Sequence, residues 1–228
     1  MPNGVDTTAF APSDASAADR LARWRRWLVD DPQGWDEGGE PGTIAYTNEE
    51  VHRAFVEAET GDLRPVLLFV GRFLDFKRVP LLIHAYALVR EALGADAPPL
   101  VIWGGYPGEW EGEHPHAVAT SMGVDGVFFV GWHGHDELAA GFNCADVFVA
   151  PSVEEPFGQV YLETSERSPE RIKILCLFFE LLPELEPLEK TLYKKDVGVE
   201  DLPAIGPGLL AAAHQASQPA AYSLGRDL

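Results

Sequence analysis

Basic residues are scarce in this chain of 228 residues, which carries 17 lysines and arginines against 36 aspartates and glutamates. The formal net charge of −19 repels phosphate backbones and anionic lipid headgroups. We therefore expect neither nucleic acid nor a membrane surface among its partners. Apolar runs of about 18 residues are also missing, so no membrane-spanning helix is expected. The first residues lack the basic and apolar pattern of a signal sequence.

Cysteine is nearly absent, with Cys144 and Cys176 as the only two. They have no metal-ligand spacing and are too few for a disulfide framework, which favours a reduced, cytoplasmic setting. Histidines alternate in two short segments, His114 with His116 and His133 with His135. Neither segment has the cysteines or the distant third ligand typical of zinc sites, so no metal or other cofactor is expected. Asp136 and Glu137 fit better in the first turn of a helix.

Short apolar runs alternate with helical patterns through the middle of the chain. The runs typical of buried strands occupy 66–70, 100–103, 127–131 and 147–150. Helices are predicted at 49–58, 79–93 and 135–142, in a short segment ending at 122, and from 158 onwards. This alternation predicts an α/β fold with a doubly wound parallel sheet. The loops after its strands then meet at one edge, where such sheets bind ligands.

Two segments precede the first strand. Residues 17–29 form an amphipathic pattern and predict a helix. The apolar side of that helix carries Leu21, Trp24 and Leu28. Residues 30–48 are rich in glycine, proline and acids and are predicted to be an insertion loop. Trp35 in this loop could contact a ligand, but an exposed anchor fits the composition better. The acids at 109–113 are likewise assigned to a solvated loop.

Lysine is rarer still than arginine, and Lys77 is the only lysine before Lys173. It follows Gly71 and Arg72 in the loop and first turn beyond the first strand. The arginine offers a fork of donors to phosphate oxygens and the lysine a mobile charge. Both suit a ligand that carries phosphate, which needs local positive charge in so acidic a chain. Solvation of a surface loop is the alternative, and the position of the lone lysine favours a function.

Two glutamates follow the fourth strand in the segment VFVAPSVEEPFGQVYLE, residues 147–163. A proline directly after Glu155 disfavours helical geometry there and places this acid in a loop, whereas Glu163 falls on the next helix. Most acid pairs at such a spacing are solvated, but a loop acid and a helix acid can bracket a ligand with hydroxyls at both ends. The amides around Phe157 and Gly158, at the helix start, would face a phosphate between them.

The full pattern after the fourth strand resembles the donor-site signature of retaining glycosyltransferases of the GT-B fold, glycosyltransferase family 4 in particular. The matching residues are Pro151, Ser152, Glu155, Phe157, Gly158 and Glu163. The resemblance implies the C-terminal, donor-binding domain of such an enzyme, a Rossmann-like half of the GT-B fold. It also implies that Glu155 contacts the donor sugar and Glu163 the ribose.

Gly71-Arg72 followed by Lys77 resembles the diphosphate-binding motif of the same family. The family often has glycine after that lysine, whereas this chain has Arg78. The resemblance implies that Arg72, Lys77 and Glu155 are the catalytic residues of a metal-independent transfer. The implied substrates are a nucleotide diphosphate sugar and an unidentified acceptor.

Family 4 members commonly hold the nucleobase in the loop after the third strand, partly by stacking. Trp132 and His133 occupy that loop here, and either ring could stack on a base. A structural aromatic in the core or at its rim explains both residues equally well.

The resemblance does not cover the whole chain. Residues 1–16 look like the linker between the two domains of such enzymes, 17–163 like the donor domain, and 164–228 like neither. The tail contains a helix-compatible apolar segment at 169–182. We expect a sheet that is incomplete at its C-terminal end, with 172–182 covering the exposed edge. Three hypotheses stay open: a glycosyltransferase, a donor-binding subunit whose acceptor domain is a separate polypeptide, and an inactive fragment.

Overall fold

The computed structural model describes residues 13–152 and 173–176. In this part of the chain the sheet has five strands, all parallel to their neighbours. They are β1 (Leu67–Val70), β2 (Leu100–Trp103), β3 (Val127–Gly131), β4 (Val147–Ala150) and β5 (Lys173–Cys176). The order across the sheet is β3-β2-β1-β4-β5. The predicted α/β, doubly wound parallel sheet is confirmed, with β1 at its centre.

Helices join and flank these strands. The α-helices of the described residues are α1 (Ala17–Arg25), α2 (Asn48–Phe55), α3 (Val79–Leu93), α4 (Pro115–Ser121) and α5 (His135–Cys144). A π-helical turn, Arg26–Asp30, extends α1, and 3-10 turns lie at Asp75–Lys77 and Gly94–Asp96. Capping boxes begin α1 and α2, because Ser16 and Thr47 each exchange hydrogen bonds with an acid three residues later. None of these helices is long and apolar enough to cross a membrane.

Side chains that alternate along the strands enter two cores, one on each face of the sheet. Val101 and Trp103 of β2 pack in the cluster that contains the tryptophans of the N-terminal helix and Phe142 of α5. Leu100 and Ile102 pack in the other cluster, with residues of α3 and α4. All four side chains are buried. A strand buried on both faces appears as an unbroken apolar run, which explains why the pattern identified it.

The segment before α2 covers the outer edge of β3. Gln33 forms a parallel bridge with Gly131. The Phe129 amide donates a hydrogen bond of 2.9 Å to the Tyr46 hydroxyl. Gly131 has φ 79°, and a Cβ on it would overlap the Gln33 carbonyl, so the close approach depends on glycine. This segment therefore covers the edge of β3 and provides hydrogen-bond partners for backbone groups that would otherwise be unpaired.

The prediction that Trp35 is exposed was wrong, because its side chain is only 1% exposed. It stacks on Phe73 with a centroid distance of 5.4 Å and meets the His114 ring edge-on at 4.7 Å. Its indole nitrogen donates a hydrogen bond of 3.1 Å to the Gly105 carbonyl. Residues 30–48 thus have the composition of a surface loop but pack against distant segments, which local composition does not report.

The prediction of a helix over 169–182 was wrong for Lys173–Cys176, which form β5. These residues pair in parallel with Val147–Ala150 of β4. A short apolar run suits a helix or a strand equally well, and the unpaired edge of β4 decides in favour of a strand. The expectation that 172–182 cover this edge holds for the paired residues. The incompleteness of the sheet and the boundary at residue 164 concern residues outside the described ones.

Burial lowers the pKa of His114 to about 4, with His116 acting in the same direction. An unfolded histidine titrates near 6.5, so between these values the unfolded chain binds a proton that the folded chain does not. Stability contributed by neutral His114 is therefore lost as the pH falls from about 6.5 towards 4. We expect this residue to lower the free energy of unfolding by about 2 kcal/mol between pH 7 and pH 5.

Urea unfolding of the wild type and His114→Asn at both pH values checks this expectation. In the wild type, the His116 amide donates a hydrogen bond of 3.2 Å to the His114 ring. Asparagine keeps a side-chain acceptor for this amide. The variant is expected to be less stable overall but to show a smaller pH dependence. Equal pH dependence in the two proteins would contradict the assignment.

Candidate functional site

The loops after β1 and β4 meet where the strand order reverses. The chain passes from β1 outward to β2 and β3, then returns to place β4 on the other side of β1. Leu67 and Leu68 pair with Val147 and Phe148 across this boundary. Open α/β sheets bind ligands in the crevice beyond the carboxyl ends of such strands. Gly71 and the described residues Pro151 and Ser152 therefore flank the candidate site.

Lys77 ends the 3-10 turn in the loop after β1. Its amide donates a hydrogen bond of 2.9 Å to the Leu74 carbonyl. Its ammonium nitrogen lies 5.3 Å from the centre of the Phe76 ring, a cation–π distance. A Cβ on Gly71 would lie 3.6 Å from Cδ of Lys77, an ordinary contact distance, so the glycine is adjacent to the lysine stem. The predicted motif residues Gly71 and Lys77 are thus neighbours in space.

Arg72 extends from the same loop with 63% of its side chain exposed. A guanidinium nitrogen lies 3.9 Å from a carboxylate oxygen of Glu109, whose side chain is 56% exposed. An ion pair this long and this exposed contributes little to stability. An anion that enters the crevice would compete with Glu109 for this guanidinium.

Arg78 is the only non-glycine residue with positive φ in the described part of the chain. Its φ of 52° and ψ of 37° lie in the left-handed region, where it links the 3-10 turn to α3. Glycine occupies this region without a steric cost. The departure from the family pattern at Arg78 therefore falls where the backbone itself favours glycine.

Two acids in the loop after β2 contact the motif loop. Glu109 pairs with Arg72, and the Asp75 amide donates a hydrogen bond of 3.0 Å to the carboxylate of Glu111. The acids at 109–113 are exposed, as the prediction of a solvated loop requires. The prediction did not include their contacts with the loop after β1. No local signal identifies them, since Asp75 and Glu111 are 36 residues apart.

The loop after β3 presents one of its two candidate rings to solvent. Trp132 is 52% exposed and meets the equally exposed Tyr106 edge-on, with centroids 6.1 Å apart. His133 is half-buried, and its ring centre lies 5.5 Å from that of Trp103. Burial lowers the pKa of His133, so the imidazole is neutral at neutral pH. Trp132 has the larger free ring surface of the two.

Four of the predicted site residues lie outside the described residues. They are Glu155, Phe157, Gly158 and Glu163. The described chain reaches Ser152, which is buried directly after β4. The roles of these four residues stay predictions.

The histidine segments give no indication of a metal centre. Burial lowers the pKa of His116, as it does for His114. Within residues 13–152 and 173–176, no three histidine, cysteine, aspartate or glutamate side chains are grouped so that they could hold a metal ion. Asp136 and Glu137 lie in the first turn of α5, as predicted.

Residues 64–166 match the family described as Glycosyl transferases group 1. This part of the chain is therefore similar in sequence to the group 1 glycosyltransferases. The matched region includes the loop after β1 and both predicted glutamates, Glu155 and Glu163. The match thus agrees with the family resemblance of the two motifs.

Two curated glycosyltransferases illustrate the similarity. The D-inositol 3-phosphate glycosyltransferase of Salinispora arenicola is 38% identical over 167 residues, which cover 70% of this chain and 30% of that protein. The lipopolysaccharide core biosynthesis glycosyltransferase LpsE of Rhizobium meliloti is 37% identical over 101 residues, 44% of this chain and 26% of that protein. The chain therefore spans less than a third of these relatives.

Among solved structures, the C-terminal domain of the group 1 glycosyltransferase LpcC from Francisella tularensis aligns with 76% of this chain and 70% of its own. The identity is 16% and the TM-score is 0.45. A similarity this low adds nothing to the family match, which depends on the sequences alone.

The left-handed backbone at Arg78 yields a stability prediction. We expect Arg78→Gly to be more stable than Arg78→Ala by about 1 kcal/mol, because both variants lose the arginine side chain but only alanine keeps the steric cost of this conformation. Thermal or urea unfolding of the two variants measures the difference. A glycine variant no more stable than the alanine variant would contradict it.

Proposed function

We propose that this chain is the donor-binding part of a retaining, metal-independent glycosyltransferase of family 4, which transfers a sugar from a nucleotide diphosphate sugar to an acceptor. The observation that carries the proposal is the position of Arg72 and Lys77. Both lie in the loop directly after the central strand β1, beside the crevice where the strand order reverses. The match of residues 64–166 to the group 1 glycosyltransferases supports the transfer of a sugar.

The chemistry follows from the charges at this loop. Transfer breaks the bond between the sugar carbon and the diphosphate oxygen, and the electron pair leaves with that oxygen. The acceptor hydroxyl forms the new bond to the carbon on the face from which the diphosphate leaves, and its proton passes to the departing diphosphate. Arg72 and Lys77 would stabilise the growing negative charge, since cations placed before the reaction need little reorganisation during it. Local cations matter here because the chain as a whole carries a formal charge of −19.

The remaining donor contacts are proposals from the sequence. Glu155 would bind hydroxyls of the sugar and Glu163 those of the ribose, with the amides of Phe157 and Gly158 near the diphosphate. For the nucleobase we favour Trp132 over His133, because its ring is the more exposed and lies at the same edge of the sheet. The acceptor, a separate acceptor-binding polypeptide and the cytoplasmic location stay predictions.

Lys77→Ala tests the diphosphate site. We expect its affinity for UDP, GDP or ADP, whichever binds the wild type, to fall by about tenfold or more, because a charge-assisted contact to phosphate is lost. Stability should change little, since the side chain is only partly buried. Isothermal titration calorimetry at millimolar nucleotide measures the affinity, and thermal unfolding checks the fold.

Arg53→Ala is the matched control for Lys77→Ala. Arg53 is an exposed cation on α2, so its loss changes the net charge equally without touching the loop after β1. Its nucleotide affinity should equal that of the wild type. A folded Lys77→Ala protein with unchanged affinity would refute the site, and a wild type that gives no heat with any nucleoside diphosphate or nucleotide sugar would refute donor binding.

Glu109→Gln should act in the opposite direction. It removes the carboxylate that lies 3.9 Å from Arg72 and competes with phosphate for the guanidinium. Because exposed ion pairs are weak, we expect nucleotide affinity to rise by only about two- to fivefold. Glu59→Gln removes an exposed acid from a distant turn and should have a smaller effect in the same titration. Equal effects of the two substitutions would show that Glu109 acts through net charge alone.

A further inference from the structure

The loops after β1 and β2 continue side by side beyond the ends of their strands. The Gly105 amide donates a hydrogen bond of 3.0 Å to the Gly71 carbonyl. Further along, Phe73 forms a parallel bridge with Trp110. The Glu111 amide donates a hydrogen bond of 2.8 Å to the Phe73 carbonyl. The motif loop is therefore held along its length by the loop after β2.

Glycines allow this close contact. A Cβ on Gly104 would lie 2.5 Å from the Gly71 carbonyl oxygen, and one on Gly105 would lie 2.6 Å from the Phe73 ring. Both glycines have positive φ, 115° and 73°. Larger residues at either position would push the two loops apart. The contact between the loops therefore depends on Gly104 and Gly105.

Buried aromatic rings pack against Phe73 and Trp110, the residues that bridge the two loops. The ring of Trp35 lies 5.4 Å from that of Phe73 and 5.9 Å from that of Trp110. His114 meets the Phe73 ring edge-on at 5.6 Å. Trp35 and His114 are each 1% exposed, so the rings that support the two loops are packed and buried.

The turn that carries Lys77 has no cap of its own. Its N-cap residue is Leu74, which makes no side-chain hydrogen bond to the turn. The first amide of a helical turn needs an acceptor from elsewhere. Glu111 supplies it, since the Asp75 amide donates to its carboxylate at 3.0 Å. A carboxylate is also the favoured charge at this end of a turn.

We propose that Glu111 is a positioning residue for the diphosphate site: its carboxylate caps the turn from the neighbouring loop and so fixes the backbone that presents Lys77. The inference depends on the proposed donor site for its functional part, and on geometry alone for its structural part. Glu111 touches no reacting atom and acts through the Asp75 amide. Its role is opposite to that of Glu109, which lies two residues earlier and competes for Arg72.

The sign of the effect separates positioning from electrostatics. Removing an acid near an anion site should strengthen anion binding if charge alone mattered. We expect Glu111→Ala instead to weaken nucleoside diphosphate binding by about three- to tenfold, because the turn loses its cap. Glu111→Gln keeps an acceptor oxygen while losing the same charge, and should retain most of the affinity. Binding by Glu111→Ala as tight as in the wild type would overturn the functional part.

Hydrogen exchange of the free protein tests the cap without any ligand. In Glu111→Ala the amides of residues 74–78 should exchange faster than in the wild type, while those of α3 keep their protection. Glu111→Gln should exchange at close to the wild-type rate. Unchanged exchange in Glu111→Ala would overturn the cap itself.

Failure of the proposed donor site can be distinguished from failure of the positioning role of Glu111. If the wild type binds no nucleoside diphosphate, the proposed donor site fails, whereas the exchange result still decides the cap. If the wild type binds, Lys77→Ala binds weakly and Glu111→Ala binds normally, the donor site stands and the positioning role is refuted. Loss of affinity with full rescue by Glu111→Gln supports both.

Discussion

The parallel pairing of β1 on both of its sides determines where the loops after β1, β2 and β4 begin. Its neighbours are β2 and β4, and the loops that leave these three strands carry Gly71, Glu111 and the segment towards Glu155. The Asp146 carboxylate accepts a hydrogen bond of 2.9 Å from the Val66 amide just before β1 and also pairs with Arg20 of α1. The start of the central strand, the start of β4 and the N-terminal helix are thus joined at one carboxylate.

Much of the fold could be predicted because its strands and helices carry strong local patterns. The bounds of α3, β2, β3 and β4 agree with those expected from apolar runs and helical periodicity. The pattern does not show which distant surface a segment will cover. Trp35 lies in a stretch with loop composition, yet it is buried against Phe73. β5 was missed for a related reason, since only the free edge of β4 distinguishes a strand from a helix there.

In the candidate site, too, some residues could be assigned from the sequence and others only from the structure. Arg72 and Lys77 could be assigned from their place after a strand, because the loops of parallel strands share an edge. Their partners could not be assigned, since Glu109 and Glu111 are ordinary acids in an acidic chain until the two loops are brought together. Chemistry that depends on one segment is visible in a sequence, whereas the residues that orient it come from packing between segments. The distinction between Trp132 and His133 likewise required their exposure.

The contacts of the N-terminal segment have a consequence for synthesis of the chain on the ribosome. Arg20 donates a hydrogen bond of 2.8 Å to the Cys144 carbonyl, 124 residues later. At ordinary translation rates that separation corresponds to a delay of about 6 to 25 s before the partner exists. Trp24 and Trp27, fully enclosed in the finished fold, spend this time without the α5 surface that covers them. Until α5 has been synthesised, they therefore offer apolar surface to which a chaperone can bind.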